Sequence, residues 1–202
     1  MICLIPILGQ SQYSLGVKGG LTYSNLIQRD PYFRWESQYK PGYSTEFIFN
    51  DRISERFSVY ISLGHDNLNA FMSGAYGSKF ESTQEEGNYK IYSIFFDIQP
   101  RLIIFKRINL ELLVGLSTKR IIITKFEGYR NEESINDNIT SSLGGTWEHL
   151  QLGLGYQIKL SEKVKCILES YIYRSLSGIV YHSEHFDVVG LKVNLGLLYS
   201  LN

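Results

Sequence analysis

Residues 188–202 admit one regular conformation. Val189, Leu191, Val193, Leu195, Leu197, Tyr199 and Leu201 alternate with Gly190, Lys192, Asn194, Gly196, Ser200 and Asn202, and Leu198 alone breaks the pattern. A period of two belongs to an extended strand, whose side chains point to opposite faces. One face is therefore oily and the other small and polar. Glycine weakens a strand unless something packs close to it, so a glycine-rich polar face is unlike a solvated sheet surface. It suits the inside of a narrow barrel whose oily face meets lipid.

The same alternation recurs upstream and sets out eight strands. They begin near Tyr13, Gly42, Phe57, Tyr89, Leu110, Leu150, Val164 and Val188. Short turns are expected at 51–56, 106–109 and 161–163, and long connections at 24–41, 67–88, 126–147 and 177–186. Neighbouring strands joined by alternating short and long links place every long link at one end. The spacing thus predicts an all-β fold, a single eight-stranded antiparallel up-and-down transmembrane β-barrel with four long external loops and three short periplasmic turns. A barrel of eight strands is filled by its own side chains, so no wide aqueous pore is expected. The barrel domain spans 12–202, and the apolar residues 1–11 read as a residual or truncated export signal that lacks a basic start.

Charge decides which face is inside. Lys18, Glu46, Asp97, Arg101, Glu111, Lys159, Lys165, Glu169 and Lys192 all share the glycine-rich face. Turned to lipid, each Lys or Arg would cost about 2–4 kcal/mol near the bilayer midplane. Turned inward, the two signs pair, which gives a lumen ion-pair network. Aromatic residues fall in two tiers, Tyr13, Phe49, Phe57, Phe105 and Tyr199 toward the turns and Tyr23, Tyr43 and Tyr92 toward the loops, as two interfacial girdles require. The 20 basic and 20 acidic residues cancel, which removes the electrostatic footprint of nucleic-acid binding. Two cysteines, Cys3 and Cys166, suggest neither a disulfide framework nor a metal cluster.

Two stretches carry a family resemblance. Asn194, Gly196, Tyr199 and Leu201 resemble the polar-x-Gly-x-x-aromatic-x-hydrophobic signal by which outer-membrane barrels are recognised by the barrel assembly machinery. The opening Tyr13-Ser14-Leu15-Gly16-Val17-Lys18-Gly19-Gly20-Leu21-Thr22-Tyr23-Ser24-Asn25-Leu26 resembles the first strand of PorT-like small outer-membrane barrels of Bacteroidota-type bacteria. The resemblance implies a location in the bacterial outer membrane, among outer-membrane lipid and lipopolysaccharide, and one branch of that family is tied to protein secretion. The sequence departs from the usual ending by closing on Leu201 and Asn202 rather than on an aromatic residue.

Function is read from what remains. The first long loop holds Tyr32, Phe33, Arg34, Trp35 and Tyr39, aromatic and arginine groups of the kind that anchor interfaces, though loops also fold such groups onto their own rim. The expected function is that of a non-enzymatic barrel, structural or partner-binding through its external loops, within a larger outer-membrane complex for secretion or surface assembly. No cofactor and no metal is expected. A barrel enzyme acting on lipid A or protein at the outer rim is the alternative, with His65 and Asp66, Glu148 and His149, or His182, Ser183, Glu184 and His185 as candidate groups; His182 and His185 with Asp187 have metal-ligand chemistry, but lack a third convincing ligand and fit a short polar loop better. A soluble lipocalin-like carrier of an apolar ligand is the third reading. It would require the oily faces to turn inward.

Overall fold

The computed structural model describes residues 12–28, 35–77, 82–140, 145–181 and 184–201. Ten strands follow one another: β1 Gln12–Gln28, β2 Trp35–Arg52, β3 Phe57–Gly77, β4 Ser82–Phe105, β5 Leu110–Arg130, β6 Glu133–Asn138, β7 Thr146–Lys159, β8 Val164–Ser175, β9 Ile179–Tyr181 and β10 Glu184–Ser200. Eight of them, β1, β2, β3, β4, β5, β7, β8 and β10, pair antiparallel with their neighbours, and β10 returns to β1 from Ser14–Ser200 to Gln28–Phe186. Closure leaves no free edge around this ring. The barrel is of the up-and-down kind that the alternation predicts.

The short links are tight for local reasons. Ser54 Oγ accepts from the backbone N–H groups of Arg56 and Phe57 at 3.3 and 3.0 Å, which folds the β2–β3 turn. A single 3-10 turn, Lys106–Ile108, joins β4 to β5 and ends on Asn109 in the left-handed region at φ 48°. Asparagine tolerates that region better than most residues. Ser161 Oγ accepts from Val164 N–H at 3.1 Å between β7 and β8. Lys106 bonds Glu55 across two of these turns, and its ammonium holds that exposed carboxyl below the usual carboxylate range.

The long connections differ from expectation. Much of what reads as loop is strand: β3 and β4 pair continuously out to Gly77 and Ser82, and β5 runs to Arg130 and turns back as β6. The reason is a reversal of polarity along the strand. On β4 the even positions face outward throughout, as Ile94, Phe96 and Ile98 low down but as Gln84, Glu86 and Asn88 above. The odd positions face inward, as Asp97, Gln99 and Arg101 low down but as Tyr89 and Ile91 above. Above Tyr92 the sheet has an apolar inside and a wet outside, like an ordinary soluble protein.

The lower wall is dressed for lipid. Leu152, Leu154, Val193 and Leu195 are 42–61% exposed, whereas Lys192 is 3% exposed, which excludes the lipocalin-like arrangement. Tyr13 stacks with Phe49 at one level, with ring centroids 5.7 Å apart, and Tyr23 stacks with Tyr39 at the other, 5.3 Å apart. Tyr13 and Tyr23 lie ten residues apart on β1. At roughly 3.3 Å per residue and about 40° of tilt, that separation is about 25 Å, the height of an outer-membrane apolar band. Leu195 pairs with Gly19, midway between these tiers. Leu195→Arg is expected to cost about 2–4 kcal/mol in urea unfolding from lipid vesicles, whereas Asn88→Arg, on the wet outer face, should cost less than about 0.5 kcal/mol.

Candidate functional site

The lumen is where most of the charges named from the sequence come together. Glycine makes room for them: a Cβ on Gly196 would sit 2.5 Å from Cβ of Lys18. Lys18 Nζ lies 2.9 Å from Glu46 and 2.9 Å from Glu169. Glu46 also meets Lys192 at 2.5 Å, Glu169 meets Arg101 at 2.5 Å, and Arg101 meets Glu111 at 3.4 Å. The six groups form one chain of alternating sign, Lys192, Glu46, Lys18, Glu169, Arg101 and Glu111, whose charges cancel. Burial is tolerable because each ion has a partner; a buried ion without one would be expensive.

Neutral groups complete the chain. The Arg101 guanidinium carbon lies over the Tyr60 ring, 3.3 Å from its centroid, and the guanidinium donates to Gln99 Oε1 at 2.8 Å. Gln99 donates to Gln151 at 2.6 Å, and Gln151 donates to Asp97 at 3.3 Å, which brings Asp97 to the edge of the network. Gln157 donates to Glu111 at 2.6 Å and to the Tyr60 hydroxyl at 3.0 Å. Asn194 donates to Glu46 at 3.4 Å, so one residue of the assembly-signal pattern is also a lumen group. Tyr199 and Leu201 of that pattern face outward and are about half exposed, at 48% and 49%.

Two of the named lysines stand apart from the ion pairs. Lys165 is half-buried and Lys159 exposed, both at the turn end of the lumen, and neither has a carboxylate within ion-pair distance among the described residues. Their strand parity is right. Their height is not, because the last inward position of a strand lies at the mouth rather than in the core.

A second pair sits higher and escaped the sequence reading. Asp66 bonds both Lys119 and Ser93, and all three are buried. The Phe95 ring separates this pair from the chain below, 4.5 Å from Lys192 Nζ and 5.5 Å from Lys119 Nζ. The signal was present, since both residues share the inward parity of their strands. Above it the interior becomes apolar: Leu68, Met72, Tyr89, Ile91, Phe126, Trp147 and Phe186 form one buried cluster. The barrel is therefore filled by ions below and by hydrocarbon above.

The candidate catalytic pairs are divided by the pleat. His65 faces outward between Tyr43 and Tyr92, with ring centroids 5.9 and 6.2 Å away, whereas Asp66 faces the lumen. His149 is buried between Trp147 and Tyr173, whereas Glu148 is exposed. Asp187 pairs with Arg174 at 2.9 Å, His185 is exposed, and His182 and Ser183 lie outside the described residues, as does any side-chain placement for Glu184. Among the described residues no group of three or more His, Cys, Asp or Glu side chains is arranged to hold a metal ion.

The first-loop residues are also redistributed. Trp35 and Tyr39 belong to β2, and Trp35 turns onto the apolar cluster, meeting Phe186 edge-on at 6.0 Å. Tyr39 lies on the outer wall against Tyr23. Trp35 is thus a core group and not an exposed anchor. Tyr32, Phe33 and Arg34, like residues 1–11, lie outside the described residues.

No protein-family model matches the sequence, and no curated protein does. Among solved structures, the attachment invasion locus protein Ail of Yersinia pestis, in complex with the heparin analogue sucrose octasulfate, is 12% identical. That match covers 93% of this chain and 99% of the other, with a TM-score of 0.50. Neisserial surface protein A is 10% identical over 92% of this chain and 96% of its own, with a TM-score of 0.49. The outer membrane protease OmpT from Escherichia coli is 9% identical over 95% and 96%, with a TM-score of 0.42. At such an identity the likeness to Ail, with its TM-score of 0.50, is one of fold. Ring closure, outward apolar belt and inward charges agree with it: the chain has the fold of a small outer-membrane β-barrel.

Proposed function

We propose that the chain is a non-enzymatic outer-membrane barrel that acts through the sheet it raises above the lipid, as a structural or partner-binding part of a surface or secretion assembly. The observation that carries this reading is the double filling of the lumen, by the ion chain and by the apolar cluster above it. With the inside occupied, the extended ends of β3, β4, β5 and β6 are the accessible working surface. Tyr129 stands 60% exposed on that sheet. The resemblance of residues 13–26 to PorT-like barrels supports a place in the envelope of a Bacteroidota-type bacterium, with lipopolysaccharide around it and the barrel assembly machinery reading its last strand. The division of His65 from Asp66 and of His149 from Glu148 across their strands supports a role without catalysis.

Photo-crosslinking in intact cells tests this. A crosslinker at Tyr129 is expected to give protein adducts of defined mass, and one at Leu195, on the lipid belt, to give none. If both positions capture only lipid, the partner reading fails.

A further inference from the structure

The turn end of the lumen holds cations that the ion chain does not use. Lys159 and Lys165 are direct cross-strand partners, both on the face that carries Gln157 and Glu169 into the barrel. Like charges in that position oppose strand pairing. Arg52 is the third: it donates to the carbonyls of Ser54 and Glu55 at 3.3 and 3.0 Å, which fixes the guanidinium at the mouth, and it has no carboxylate within ion-pair distance among the described residues.

These three cations border one cavity of about 320 Å³ that opens toward the short turns. At its inner end Glu111 is already engaged by Arg101 and Gln157, and Glu162 is the other carboxylate on its lining. Two lysines apposed across a strand pair, with a fixed guanidinium beside them, concentrate positive charge on this lining. An oxyanion relieves that repulsion, because it accepts from lysine and guanidinium alike. The volume is at the small end of ligand sites, roughly 300–1,000 Å³.

We propose that this cup binds a small multivalent oxyanion, bearing carboxylate or phosphate groups, that reaches it from the periplasmic side and is held by Lys159, Lys165 and Arg52. The site goes beyond the external working surface proposed above and stands or falls separately from it.

The full chain, folded in detergent micelles at low ionic strength, is titrated calorimetrically with citrate, with pyrophosphate and with uncharged sorbitol. Citrate or pyrophosphate is expected to give saturable heat at one site per chain, and sorbitol none; which anion binds more tightly separates carboxylate from phosphate. Lys159→Gln and Lys165→Gln should each weaken binding about ten- to a hundredfold, the worth of one charge-assisted hydrogen bond. Lys163→Gln, on the outside of the same turn beside Tyr199, should leave affinity unchanged. Removing one of two apposed lysines does not threaten folding, and heat-modifiable gel mobility verifies it. Absence of saturable heat with both anions overturns the proposal, as does equal weakening in all three variants, which would mark general attraction to net charge.

Discussion

Replacing Glu46 with leucine is expected to lower the free energy of unfolding by about 3–5 kcal/mol, the usual consequence of leaving a buried ion without its partner. Glu46 joins Lys192 to Lys18. Without it Lys18 still meets Glu169, but Lys192 has no ion pair left among the described residues. Lys192→Met on the Glu46→Leu background removes the stranded cation, leaving Lys18, Glu169, Arg101 and Glu111 as a shorter chain that again sums to zero. Such neutral, volume-matched replacements of a whole buried pair are often tolerated. The double variant should therefore unfold within about 1 kcal/mol of the parent, and a double-mutant cycle in reversible urea unfolding from lipid vesicles reads the coupling. A double variant as unstable as Glu46→Leu alone would mean that Glu46 acts through packing and not through charge.

Trp147→Ala is expected to cost a similar amount, about 3–5 kcal/mol, for a different reason. Trp147 is 2% exposed at the foot of the apolar cluster, beside His149. Its loss leaves a cavity in the part of the molecule that has no lipid to brace it. Limited proteolysis should then cut within the raised ends of β3 to β6 while the lower wall stays protected, since local opening follows the least stable unit. Cleavage distributed over the whole chain would show that the two storeys unfold together.

How much of this was legible in the sequence depends on what a period of two can encode. It assigns each side chain to one of two faces, and eight repeats of it on glycine-rich strands left few folds open. Lys18, Glu46, Arg101, Glu111, Glu169 and Lys192 could therefore be sorted as inward before any pairing was known. Who touches whom was not legible, because pairing depends on strand tilt and register around the ring. Lys159 and Lys165 have inward parity yet lie at the mouth, and Asp66 and Lys119 became a pair only once β3 and β5 were set on either side of β4. Residues 67–88 read as loop because oily outward positions are what mark a membrane strand in a sequence. Above Tyr92 those positions are polar, and the strand continues with its faces exchanged in character. Trp35 shows the same limit, since an aromatic near a loop looks alike whether it faces a partner or a core.

That exchange has a consequence for how deep the molecule sits. Each of β3 and β4 passes from a greasy exterior at Leu63 and Ile94 to a hydrated one at Asn69 and Asn88 within a few residues. Sliding the cylinder inward by one or two rungs would drag amides and carboxylates into hydrocarbon, and sliding it outward would bare leucine to water. Both displacements are opposed, so the wall carries its own waterline. The upper sheet is thereby held at a fixed height over the cell surface, whatever meets it there.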